Sequence, residues 1–207
     1  MQFGQGKVIV DPDEKRAERW LADRGFTIER FSKEEMRCGK TPDFRVLQGD
    51  RFRAFCEVKS SPEDQWLNKQ IEKAPPGAIA GGSRSDPIFN RLAADVHEAV
   101  KQFDAVNVDN AQPNILVLVN HDAQCGFNDL LAVLTGNFYA ADGTSHPIYR
   151  KYSQGRIKDE KDRIDLFIWL DDHKPERLLF SQKSAANHQS LCTALGISPD
   201  DIKQIDS

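Results

Sequence analysis

The sequence predicts an α/β sandwich in which a mixed β-sheet is flanked by helices, and three observations carry that prediction. Ile115-Leu116-Val117-Leu118-Val119 is a continuous apolar run of the kind a strand needs when both its faces are buried, and Ile164 to Leu170, apolar but for Asp165, reads as a second buried strand. Phe44–Leu47 and Arg51–Val58 flank Gln48-Gly49-Asp50, a tight-turn sequence that joins an antiparallel hairpin. Ile88, Leu92, Val96, Ala99, Val100 and Phe103 recur at helical spacing between the hairpin and the first buried strand.

Taken in order, Asp11-Pro12-Asp13 opens a helix running from Glu14 to Arg24 and stopped by Gly25, with acids in its first turn and bases in its last. Phe26 to Phe31 alternates apolar and polar and reads as a strand. A polar, charged segment follows to Lys40, then the hairpin. Ser60 to Asp86 is rich in Pro, Gly and Ser and reads as a connection with a short helix near Trp66–Ile71. Asp86-Pro87 caps the long helix. After the first buried strand come a helix at Asn128–Leu134, a polar stretch at 136–162 with loop character, the second buried strand, a short strand at Arg177–Phe180 and a helix from Ala185 to Leu195 closed by Gly196. The order of helices and strands suits two helical layers on one sheet.

The chain has 207 residues, 39% of them apolar and 29% charged, which fits one domain across 1–207 with a sizeable core. No apolar run approaches the roughly 20 residues that cross a bilayer, and Met1 to Lys7 lacks a secretory apolar region, so a cytoplasmic protein with no membrane partner is expected. Cys38, Cys56, Cys125 and Cys192 lie far apart, without CxxC spacing, and are expected to be reduced. The five histidines never pair at HxH or HxxxH spacing, so the pattern does not support a zinc centre. A net charge of −4, from 28 basic and 32 acidic side chains, speaks against a surface that is basic all over.

Chemistry concentrates in Thr41-Pro42-Asp43-Phe44 and Glu57-Val58-Lys59. Metal-assisted phosphodiester hydrolysis needs hard carboxylate oxygens for Mg²⁺ and a cation near the scissile phosphate or the attacking water. A hairpin can bring Asp43 beside Glu57, and strand alternation points Glu57 and Lys59 to one face and Val58 to the core. Pro-Asp occurs three times and an acid two residues before a lysine five times, but only Asp43 with Glu57–Lys59 has the separation of one hairpin and an apolar strand leading into the acid. The plain alternative is a surface hairpin with an ordinary salt bridge. On the first helix Ala17, Trp20 and Leu21 mark the buried face, with Glu14 nearer its centre than Glu18; the alternative role for Glu14 is to complement the helix dipole.

These residues resemble the PD-(D/E)XK nuclease superfamily, whose fold is restriction-endonuclease-like. The likeness runs from about Glu14 to Val119, and Glu14, Gly25-Phe26 and Lys40 to Phe44 are similar to the archaeal Holliday-junction-resolvase branch. The resemblance implies a single nuclease-like domain with an insertion or loop at 136–162. Asp43, Glu57 and the Val58 carbonyl would hold Mg²⁺ or Mn²⁺, and Lys59 would position water and stabilise charge on the phosphate. Glu14 would orient water or hold a second metal. The helix after the ExK motif offers Asn90, Arg91 or His97 as a further polar residue, with Arg91 suited to a phosphate. The expected partner is DNA, contacted by Arg91 and by Arg150, Lys151 and Arg156 of the polar segment, and one site per chain implies a homodimer where both strands are cut. A catalytically inactive binding module on the same scaffold is the alternative, and a nucleotide- or small-molecule-binding α/β domain is a third.

Overall fold

The computed structural model describes residues 11–62, 66–79, 88–140, 142–148, 157, 160–172, 174–181, 185–198 and 200. Helix α1 (Pro12–Ala22) starts at Asp11, whose carboxylate accepts from the Asp13 N–H at 2.8 Å, and the chain turns at Gly25, which adopts φ +80°. Strand β1 (Thr27–Arg30), helix α2 (Lys33–Cys38), and strands β2 (Phe44–Gln48) and β3 (Arg51–Ser61) follow. Next come α3 (Trp66–Lys73), α4 (Ile88–Val106), β4 (Asn114–Asn120) and α5 (Phe127–Thr135). Strands β5 (Asn137–Tyr139) and β6 (Ser145–Pro147), a 3-10 turn at Glu160–Arg163, β7 (Leu166–Asp171), β8 (Arg177–Phe180) and α6 (Ala185–Leu195) complete the order.

Six strands form one mixed sheet in the order β1-β2-β3-β4-β7-β8. β1, β2 and β3 are antiparallel neighbours, β3-β4 and β4-β7 are parallel, and β8 returns antiparallel to β7. Alternation along β4 divides the core: Ile115, Val117 and Val119 pack with Ala17, Trp20 and Leu21 of α1 and Leu191 of α6, while Leu116 and Leu118 pack with Leu92, Val96 and Phe103 of α4 and Leu130 of α5. The result is a sandwich of two helical layers around a mixed sheet. No described helix is long and apolar enough to cross a membrane.

Several boundaries differ from the sequence expectation. The charged segment before Lys40 contains α2, which buries no residue and is held by a capping box between Ser32 and Glu35. β7 begins at Leu166, and just before it the Asp165 carboxylate accepts from the Asn114 N–H at 2.9 Å. The 136–162 stretch is not wholly loop: β5 and β6 pair as a small hairpin, and Ile157 is buried in the α4 layer. Asp86 and Pro87 lie outside the described residues, as do Arg150, Lys151 and Arg156.

Candidate active site

The hairpin register builds the site. Leu47 pairs with Phe52 but Val46 pairs with Ala54, so Arg53 is an extra residue that shifts the pairing by one. Phe44 therefore lies opposite Cys56, and continuing the register brings Asp43 level with Glu57. The two are clasped reciprocally: the Asp43 N–H donates to Glu57 Oε2 at 3.1 Å, and the Val58 N–H donates to Asp43 Oδ2 at 2.7 Å. A strand residue directs its N–H and C=O to the same edge, so the Val58 carbonyl lies on the Asp43 side of β3. The Val58 side chain packs against the α1-side core, while Glu57 and Lys59 face α4.

Glu57 is only 1% exposed. Its carboxyl is pushed up to about 8 by burial and then by the Asp43 charge, against the opposing pull of the Lys59 ammonium that pairs with it. Burial also raises Asp43, helped by the Glu14 charge and opposed by the Val58 N–H and Lys59. Two hard oxygen donors, desolvated and repelling each other, suit a divalent cation, and the Val58 carbonyl supplies a third oxygen on the same edge. Among the described residues, no group of three or more His, Cys, Asp and Glu side chains gathers as a metal centre.

Lys59 is tied to a second element. Its ammonium donates to Gln102 Oε1 of α4 at 3.0 Å, and Gln102 Nε2 donates to the Thr41 carbonyl at 3.2 Å. One amide thus joins the lysine to the loop that carries Asp43. Asp95, about two turns earlier on α4, is raised to about 6 by burial and feels Lys59 and Arg91 as the opposing charges. Arg91, Asp95, Glu98 and Gln102 each precede a core residue, Leu92, Val96, Ala99 or Phe103, so they form one polar stripe beside the apolar one. Gln102 and Asp95 belong to no motif, and this shared period was their sequence signal.

The remaining expected residues divide. Glu14 is close enough to raise Asp43, yet its carboxylate is ion-paired with Arg30 at the end of β1. Arg91 is paired at 2.7 Å with the fully buried Asp122 carboxylate, which ties α4 to the turn after β4, and His97 pairs with Glu160 at 2.9 Å. Asn90 lies in the first turn of α4. On the α1 side, His121 bridges Asp13 and Asp172: Nε2 is 2.9 Å from Asp13 Oδ1 and Nδ1 is 2.7 Å from Asp172 Oδ2. An open cleft of about 350 Å³ runs from α2 to α4, lined by Met36, Lys40, Thr41, Lys59, Glu98 and Gln102.

Comparison of the chain with protein-family models, curated proteins and solved structures found no match.

Proposed function

We propose that the chain is a Mg²⁺- or Mn²⁺-dependent nuclease of the PD-(D/E)XK type, with a restriction-endonuclease-like fold and DNA as its substrate. The observation that carries the reading is the clasp of Asp43 and Glu57 at the end of a hairpin, with Lys59 on the face of Glu57 and fixed by Gln102. Mg²⁺ would be held by Asp43, Glu57 and the Val58 carbonyl, and when bound it would polarise the phosphate and lower the pKa of water.

The chain's own groups supply the rest. Lys59 presents an N–H to the attacking water or to a phosphate oxygen, where negative charge grows as the water oxygen bonds to phosphorus. The bridging P–O bond breaks, the water gives up a proton and the leaving oxygen gains one. Gln102 keeps the ammonium from swinging out of line, which matters because small misplacements of a catalytic group slow a reaction strongly. Glu14, at the margin of the site, would orient water once released from Arg30.

The test is cleavage of supercoiled, linear duplex and single-stranded DNA in Mg²⁺ and in Mn²⁺. Wild type should cut at least one form, and Asp43→Ala and Lys59→Ala should each lose at least about 10²-fold in rate, the scale of a key electrostatic group. Gln102→Leu should fall between wild type and Lys59→Ala, mainly in kcat. If wild type cuts none of the three forms, or Asp43→Ala cuts as fast as wild type, the reading is wrong. Calorimetric titration with Mn²⁺ separates the inactive-module alternative, which predicts no binding that depends on Asp43 and Glu57.

A further inference from the structure

We propose that Lys40 and Lys101 form a phosphate subsite at the mouth of the α2–α4 cleft, and that Glu98 is its built-in, displaceable occupant. Lys40 Nζ lies 3.0 Å from Glu98 Oε2 and Lys101 Nζ lies 2.6 Å from Oε1, so each carboxylate oxygen takes one ammonium. Two non-bridging oxygens of a phosphodiester would take the same pair in the same way. The side chains of Lys40, Glu98 and Lys101 are 56%, 48% and 57% exposed, so exchanging one anion for another buries nothing and breaks only a weak, water-screened contact.

Position gives the pair its meaning. Lys40 and Glu98 line the same cleft as Lys59 and Gln102, so a phosphate on Lys40 would sit in the cleft that leads to Lys59. Lys40 also stands three residues before Asp43, and Lys101 one residue before Gln102, on the two segments that Gln102 bridges. Glu98 therefore masks part of the cationic entrance until a polyanion replaces it, leaving a path for nucleic acid. The inference rests on the nucleic-acid partner of the proposed function, but not on cleavage.

The measurement is fluorescence anisotropy of a labelled DNA duplex in EDTA across a salt series. The proteins compared are wild type, Glu98→Gln, Lys40→Gln/Lys101→Gln, the triple variant, and Asp109→Asn as an exposed charge control away from the cleft. Glu98→Gln should bind at least about threefold tighter than wild type with a similar salt slope, because the phosphate meets the same two ammoniums in both complexes and only the competing carboxylate is gone. The lysine pair variant should bind more weakly, and Glu98→Gln should bring no gain on that background. An unchanged affinity for Glu98→Gln, a gain matched by Asp109→Asn, or a gain that persists in the triple variant overturns the subsite. A lysine-dependent gain beside a wild type that cuts no DNA keeps the subsite and removes the nuclease reading; cleavage without the gain does the reverse.

Discussion

His121 shows what a single side chain can do between distant segments. Its imidazole joins the first turn of α1 to the end of β7 through Asp13 and Asp172, and Asp172 is in turn paired with Arg16. The hydrogen bond that the imidazole Nδ1–H donates to Asp172 raises the imidazole above its ordinary value of 6.5, with Asp13 adding to the effect against partial burial. A raised value means that the folded protein holds the proton more tightly than the unfolded chain. The stabilisation is fully present below about pH 6.5 and is lost as pH climbs through the raised folded value. Glu57 and Asp95 titrate upward of their usual range with the same sign, so wild type alone does not isolate the histidine. Urea denaturation of wild type and His121→Asn from about pH 6 to about pH 9 should show a stability gap that narrows as pH rises. A gap independent of pH would mean that the bridge does not carry the proton. At this scale Asp43, Glu57 and Lys59 were legible because their residue types and the one-hairpin spacing are local. The Arg30 partner of Glu14 and the Asp122 partner of Arg91 were not, since each belongs to another element.

Elements read well where hydrophobic period is strong. β4 is buried at all seven positions and alternates between the two cores, as its unbroken apolar run requires. Leu116 is fully buried among α4, α5 and β7 side chains, so Leu116→Ala should cost ~2–5 kcal/mol with an unchanged urea m-value. A loss under about 1 kcal/mol would show that this side of the sheet is loosely packed. α2 is the opposite case. It has no buried residue to create a period, and only its Ser32–Glu35 capping box marked it locally. The bulge at Arg53 is likewise silent in the sequence, yet without it Asp43 would come level with Cys56 instead of Glu57.

Across the whole molecule, the parallel centre and the antiparallel margins should differ in local stability. Native-state hydrogen exchange should find the slowest amides in β3, β4 and β7, and amides of α2 exchanging orders of magnitude faster, because α2 contributes nothing to either core. Equal protection in α2 and β4 would contradict that picture. The net charge of −4 reads differently once partners are visible: Glu98 and Glu57 stand against the cleft lysines, so the sum hides cationic groups that an anion could uncover. By itself the sequence determined the α/β class, the two buried strands, the hairpin, and the choice of Asp43, Glu57 and Lys59 as the candidate residues. These follow from periodicity and spacing, which act over a few residues. Only the tertiary structure decided the bulged register that brings Asp43 to Glu57, the Gln102 link to Lys59, the pairing of Glu14 and Arg91, and the Lys40–Glu98–Lys101 group. Each depends on where a second element packs, and packing is settled by the cores that β4 divides between its two faces.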